Sequence, residues 1–327
     1  MKDKLKGLLN FFLRFGISGA LLWYLYTKID VAQTAELIKS ADMGYLTYAL
    51  LTFLFIHVIL LVRWVVFIRA LDLTTVTLFN VTRYFFIGLF GNLFLPSSIG
   101  GDIIKVLGLC RETSQKAKVV ASVMLDRLSG FASIAIVAVC AFTFGYSLIE
   151  EKSLVIFIIM MAGGLFMIGG ILFNERIFEF GCRIFNRFPK IKNSLMALHY
   201  DAALLKGKKM EAFKGVGLAC ASQVIFAFSY YLAAKALHQD ISVVYFLIFV
   251  PMICIAASFP SIGGLGVREM GAVYLFGKIG VESGIAVSLG LINFLLMIVM
   301  GLIGGAFYVA TLSSGRIQHI APDAPRG

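Results

Sequence analysis

"NLFLPSSIGGD", residues 92–102, closes a run of Phe and Leu with Pro96, Ser97, Ser98, Gly100, Gly101 and Asp102, and the apolar pattern resumes at Ile103. No soluble loop separates the two apolar arms. Tyr84–Leu95 and Ile103–Cys110 each supply about half of the ~20 helical residues that a membrane crossing needs. Arg63, Arg69 and Arg83 precede the stretch, and Arg111, Lys116 and Lys118 follow it. An excess of Lys and Arg marks cytoplasmic loops, so both flanks read as cytoplasmic and the chain crosses an even number of times between them. The economical reading is a re-entrant hairpin with PSSIGG as its turn. Irregular backbone at that depth is tolerated only where it is buried in protein or lines a wet cavity, which is where the turn is expected.

Composition sets the class. Of 327 residues, 60% are hydrophobic and 14% charged, with a mean hydropathy of +0.91, against roughly 45–50% and 25% in soluble domains. The chain reads as an all-α polytopic membrane protein forming one integral domain over residues 1–327. Lys2, Lys4 and Lys6 before an apolar run imitate a secretory signal, but Leu8–Tyr26 is long and no small-x-small cleavage site follows it. Hydropathy gives full spans near 8–26, 45–62, 119–144, 154–172, 213–235 and 284–310, with 84–110 and 243–280 each interrupted by Pro and Gly. Residues 174–214 carry nine Lys/Arg against four Asp/Glu, whereas 146–153 carry Glu150, Glu151 and one Lys. The first is expected to be cytoplasmic and the second external, with both termini inside.

The turn recurs. "FPSIGGLGVRE", residues 259–269, aligns with the first motif at an offset of 163 positions, which brings Lys105 onto Arg268. The same offset carries span 45–62 onto 208–225 and span 119–144 onto 282–307, close to the spans at 213–235 and 284–310, although the first helix of each half fits less well. Orientation then makes 243–280 a second hairpin entering from outside, although Val243–Phe259 is long enough to be read as a full span instead. The expected architecture is two inverted-topology repeats, about 1–145 and 150–312, with about six full spans and two broken helical hairpins. Such halves meeting near the midplane are common in secondary transporters.

The hairpin tips offer Gly-rich backbone, the hydroxyls of Ser97, Ser98 and Ser261, and helix N-termini just beyond Gly100, Gly101, Gly263 and Gly264, a combination suited to phosphate or carboxylate. Lys105 and Arg268 add positive charge, and Asp102 and Glu269 sit beside them. Charges within a span are functional candidates because each costs ~2.5–3.5 kcal/mol even on the lenient insertion scale. Each has a plainer reading. Pro96 and Pro260 mark helix ends, the glycines allow close packing, and Lys105 snorkels to the surface. Asp126 and Arg127, in "MLDRLSG", are either site residues or an interfacial pair. Asn92 is a candidate ligand or, like Gln223 and Asn293, an inter-helix hydrogen-bonding residue. Arg14, His57 and Arg63 lie near the expected interfaces.

Residues 174–212 alternate Ile177, Phe178, Phe180, Ile184, Phe185 and Phe188 with Arg176, Arg183 and Arg187, which suits an amphipathic helix on an anionic leaflet. A topology signal alone explains the charge equally well. The net charge of +11 therefore points to membrane lipid and not to nucleic acid, since no aromatic-basic RNA motif accompanies it. Five scattered Cys and four dispersed His give no disulfide or metal framework, no P-loop is present, and no cofactor is expected.

"GNLFLPSSIGGDIIKVLGL", "MLDRLSG" and "PSIGGLGVRE" resemble the signature segments of the flippase-like membrane region of bifunctional lysylphosphatidylglycerol synthases and of its stand-alone relatives. The similarity covers nearly the whole chain. It implies an inner-membrane protein handling polar or isoprenoid lipids, with Asn92, Pro96, Gly100, Gly101, Asp102, Asp126, Arg127, Gly263, Gly264, Arg268 and Glu269 as the matching positions. The bifunctional enzymes carry a C-terminal soluble aminoacyl-transfer domain, and this chain ends at Gly327, so translocation rather than enzymatic transfer is the expected activity. The rivals are a membrane glycosyltransferase using a polyprenyl-phosphate acceptor and an accessory protein that presents lipid to a lipid-modifying enzyme. The cargo, direction of transport, coupling ion and oligomeric state are open at this level.

Overall fold

The computed structural model describes residues 19, 23–27, 31–94, 100–145, 155–164, 196, 207–257 and 264–313. Among them the regular structure is helical throughout: α1 (Val31–Lys39), α2 (Met43–Ala70), α3 (Leu78–Phe94), α4 (Gly100–Leu109), α5 (Lys116–Gly145), α6 (Val155–Gly164), α7 (Lys209–Ala236), α8 (Val243–Ala257), α9 (Val267–Gly277) and α10 (Ser283–Ser313). Four of these, α2, α5, α7 and α10, are long and apolar enough to cross a membrane. At 1.5 Å per residue the 28 residues of α2 extend about 42 Å, more than the hydrocarbon thickness. The expected span 8–26 and segment 174–212 lie largely outside the described residues, and of span 154–172 only α6 is described.

The spans begin and end where backbone chemistry dictates. Asp42 caps α2, its carboxylate accepting from Gly44 N–H at 2.7 Å and Tyr45 N–H at 3.3 Å. The helix then runs to Ala70, well beyond the hydropathy window, so that His57 and Arg63 are buried on it instead of sitting near an interface. Outward, Tyr48, Leu51, Phe55, Val58 and Val62 form an exposed apolar stripe at helical spacing. A helix whose outward face is apolar and whose ionisable residues face inward is built for lipid.

The two interrupted regions are helical hairpins. Asn92 Oδ1 accepts from Gly101 N–H at 2.8 Å, Gly88 lies against Gly101 and Lys105, and Gly108 lies under the Tyr84 ring, so α4 returns antiparallel along α3. In the second region Gly264 abuts Ala257, Gly271 abuts Ile253, and the Phe276 and Phe246 rings sit 5.1 Å apart, so α9 returns along α8 in the same manner. The 15 described residues of α8 reach about 23 Å and are answered by α9 returning along them, while the end of the Val243–Phe259 stretch lies outside the described residues.

The repeat relation appears in the packing. Exchanging α2 with α7, α3 with α8, α4 with α9 and α5 with α10 leaves the α2–α7 pair in place and maps the other main helix contacts among these eight onto one another: α3 with α10 onto α8 with α5, α4 with α5 onto α9 with α10, and α2 with α5 onto α7 with α10. The central pair, α2 and α7, is antiparallel. Asp42 N–H donates to Ala236 C=O at 2.9 Å at one end, Phe53 packs on Phe226 midway, and Phe67 lies on Gly215 towards the other. Equivalent helices that run in opposite directions make the two halves inverted. Lys208 joins Asp72 at 2.6 Å at the end rich in Lys and Arg, here the basic end. Its ammonium holds the Asp72 carboxyl below the usual carboxylate range.

Close approach of backbones carries a prediction. A methyl group on Gly101 would lie 2.4 Å from the Gly88 carbonyl oxygen and 2.6 Å from Asn92 Oδ1, whereas one on Gly217 in α7 meets nothing within 4 Å. Gly101→Ala is expected to destabilise by ~1–3 kcal/mol through overpacking, and Gly217→Ala to be neutral or stabilising by up to ~1 kcal/mol through helix propensity. Thermal unfolding of the two variants in detergent gives the comparison; equal midpoints would show that the hairpin contact is not under this constraint.

Candidate functional site

α2, α3, α4, α5, α7, α8, α9 and α10 converge on a cavity of about 460 Å³. Its walls are mostly apolar, with Phe53, Leu60, Leu89, Ile134, Phe226 and Met297 among them. Into this space the first half brings Arg63 from α2, Asp102 and Lys105 from α4, and Asp126 and Arg127 from α5; the second brings Arg268 from α9. Each cation meets a carboxylate. Arg63 Nε donates to Asp126 Oδ1 at 2.6 Å, Lys105 Nζ lies 3.4 Å from Asp102 Oδ1, Arg127 Nε donates to Asp102 Oδ2, and Arg268 Nη2 donates to Glu269 Oε1 at 2.7 Å. Unpaired charge at such burial would be prohibitive, so pairing is the condition under which these residues exist there.

Aromatic faces supply the rest of the solvation. Lys105 Nζ stands 4.9 Å from the Phe85 ring centre and 5.2 Å from that of Trp64, and the Arg268 guanidinium stands 5.5 Å from Phe294, within the range of cation–π attraction. Lys105 is thus held inside the bundle and does not snorkel out. Trp64 is itself fixed by its indole N–H, which donates to Ser122 Oγ at 3.3 Å. On α5, Gly130 leaves room for the Arg63 guanidinium.

Six of the residues expected at a site, Asn92, Asp102, Lys105, Asp126, Arg127 and Arg268, line this one cavity. The others have different places. Gly100 and Gly101 are buried in the first turn of α4. Gly264 has φ +82° and Gly266 the same value, a conformation that side chains with a Cβ rarely adopt; together they turn the chain into α9. Glu269 is fully buried behind Arg268, and its second oxygen, Oε2, accepts from Gly266 N–H at 2.7 Å. Ser97, Ser98, Ser261 and Gly263 lie outside the described residues.

Two of the amides at these helix N-termini have partners within the chain: the Gly101 N–H donates to Asn92 and the Gly266 N–H to Glu269, which finishes the broken helices. Charged side chains are presented to the cavity. Among the described residues four cations, Arg63, Lys105, Arg127 and Arg268, meet three carboxylates, Asp102, Asp126 and Glu269, leaving an excess of one positive charge. His57, Ser222, Gln223 and Asn293 also line it, residues that hydropathy alone assigns to interfaces or helix packing. For Gln223 the offset of 163 held a usable signal, since it falls on the lining residue Leu60. No group of three or more His, Cys, Asp or Glu suited to a metal occurs among the described residues.

The buried pairs carry the site's stability prediction. Asp126→Asn leaves Arg63 buried without its counter-charge and is expected to cost ~3–5 kcal/mol, while Arg63→Met with Asp126→Leu is expected to be close to neutral. A double-mutant cycle on thermal unfolding resolves the coupling. Additive single effects would mean that the 2.6 Å pair contributes nothing specific.

Residues 11–305 match the family described as "Lysylphosphatidylglycerol synthase TM region". A UPF0104 membrane protein of Pyrococcus horikoshii is 24% identical over 331 aligned positions, covering 90% of this chain and 91% of the relative. No solved structure matches the chain. A match over this length settles the membership that the three motifs suggested: the chain is a multi-pass membrane protein of the lysylphosphatidylglycerol synthase transmembrane-region family.

Proposed function

We propose that the protein is a lipid translocase of the flippase kind, moving an anionic, zwitterionic or polyprenyl-linked headgroup between leaflets of the cytoplasmic membrane. The observation that carries this reading is the central cavity: about 460 Å³, enclosed by two inverted halves, with paired charges set in apolar walls. That volume falls in the range of small-molecule sites and suits a headgroup whose acyl chains stay in the bilayer. Phe131 lines the cavity and is exposed, and we place the passage for those chains past it. Arg127, whose side chain is 30% exposed, stands one helical turn before it.

In this mechanism the headgroup phosphate exchanges into the ion-pair network. Lys105, Arg127 and Arg268 donate to it, and Asp102, Asp126 and Glu269 keep the cations oriented when no lipid is present. Charge-assisted hydrogen bonds then replace headgroup hydration at mid-depth. Rocking of one half against the other across α2 and α7 would alternate access between leaflets. Membrane lipids are the proposed partners, with a lipid-modifying enzyme as supplier of the cargo, and the orientation has both termini cytoplasmic.

The test is leaflet-specific lipid labelling in proteoliposomes. Lys105→Ala with Arg268→Ala is expected to slow translocation roughly tenfold or more, the scale of one lost charge-assisted contact. Arg268→Ala also leaves Glu269 unpaired, so Lys105→Ala alone, with Asp102 still paired to Arg127, serves as the fold-safe variant and is expected to slow transport as well. Unchanged rates in both would remove the proposed site.

A further inference from the structure

A second polar pocket, of about 450 Å³, opens at the base of the first hairpin and is lined by Thr77, Phe79, Asn80, Arg83 and Glu112. None of these residues lines the central cavity. Three observations meet here. Arg83 is more than nine-tenths buried, and its Nε has no hydrogen-bond partner. The pocket also receives the N-terminus of the 17-residue helix α3, capped by Thr77, whose hydroxyl accepts from Asn80 N–H at 3.3 Å. The positive end of that helix dipole adds to the Arg83 charge. Glu112 faces the same space, steadied by the Tyr84 hydroxyl, which donates to its Oε1 at 3.2 Å, while Tyr84 in turn supports the Arg83 guanidinium 5.0 Å from its ring centre.

A buried guanidinium with an unmet donor is costly unless something accepts from it. We infer that this pocket is a phospholipid headgroup site at the basic end of the protein, in which the Arg83 guanidinium and the α3 N-terminus hold the lipid phosphate and Glu112 meets an ammonium or hydroxyl beside it. A cation and a carboxylate side by side complement a zwitterion. Leu78 and Phe79 at the rim are exposed and apolar, which suits the first carbons of the acyl chains and favours a lipid over a free phosphate ion. Its lining shares no residue with the central cavity, which makes it a docking site for lipid distinct from that cavity.

The test uses the full chain in detergent, with dioleoyl phosphatidylethanolamine as one probe and sodium phosphate as the other, read by native mass spectrometry and by the thermal-unfolding midpoint. The phospholipid is expected to remain bound and to raise the midpoint, and Arg83→Gln to lower lipid retention roughly tenfold. Arg83→Gln removes a buried charge whose Nε has no hydrogen-bond partner, so it is expected to fold at least as well as the parent without lipid. Millimolar sodium phosphate is expected neither to raise the midpoint nor to displace the lipid. The same retention in the Lys105→Ala, Arg268→Ala background separates this site from the central one. Equal lipid retention by parent and Arg83→Gln overturns the proposal, as does equal protection by inorganic phosphate, which would make the pocket a small-anion site.

Discussion

A helix that begins inside hydrocarbon leaves backbone N–H groups that lipid cannot satisfy. The protein breaks two helical hairpins at depth, and both breaks depend on meeting this constraint from within. In the first, Asn92 reaches across from α3 to the Gly101 N–H; in the second, Glu269 folds back onto the Gly266 N–H. The solutions differ in chemistry and agree in function. Each fixes the start of a returning helix, α4 or α9, and each of these helices places a cation, Lys105 or Arg268, against the centre of the bundle.

Charge burial follows the same logic. Seven ionised side chains gather around one cavity, and every carboxylate there is matched to at least one cation. Asp102 is shared by Lys105 and Arg127, which joins the first hairpin to α5. Asp126 joins α5 to α2 through Arg63. The network therefore ties the first half together, while Arg268 and Glu269 form a self-contained unit in the second. A guest anion entering the cavity meets groups that are already oriented, and it competes with carboxylates for them instead of ordering loose side chains. Arrangements of that kind favour reversible occupancy, as a translocation site requires.

Much of this was legible in the chain because lipid imposes strict lengths. The Pro and Gly punctuation at 96–101, set between arms too short to cross, revealed the first hairpin, and its recurrence at 260–266 at an offset of 163, together with loop charge, pointed to the second, whose first arm was long enough to be read either way. Arg63 and His57 were not legible, since a 19-residue hydropathy window ends α2 near Val62, whereas the Asp42 cap and the helix it starts carry both residues into the interior. The roles of Asn92 and Glu269 as helix-finishing groups depend on contacts across a hairpin or within a turn of unusual φ, which a linear pattern does not show. Arg83 read only as a topology charge; its burial and unmet Nε arise from how α3 and Glu112 pack. The two halves share a backbone plan but not side chains. Asp126 and Arg127 fall on Leu289 and Gly290 in the second half, so the symmetry could not predict where the charges would cluster.

The central claim, that the cavity between the inverted halves receives a lipid headgroup, is tested most directly by the position of bound phosphate in the protein embedded in a lipid nanodisc. Electron cryo-microscopy at side-chain resolution is expected to show phosphate density within hydrogen-bond reach of Lys105, Arg127 or Arg268, with acyl density leaving past Phe131. A cavity holding water alone or an acyl chain, with all headgroup density confined to the leaflet planes, would contradict it.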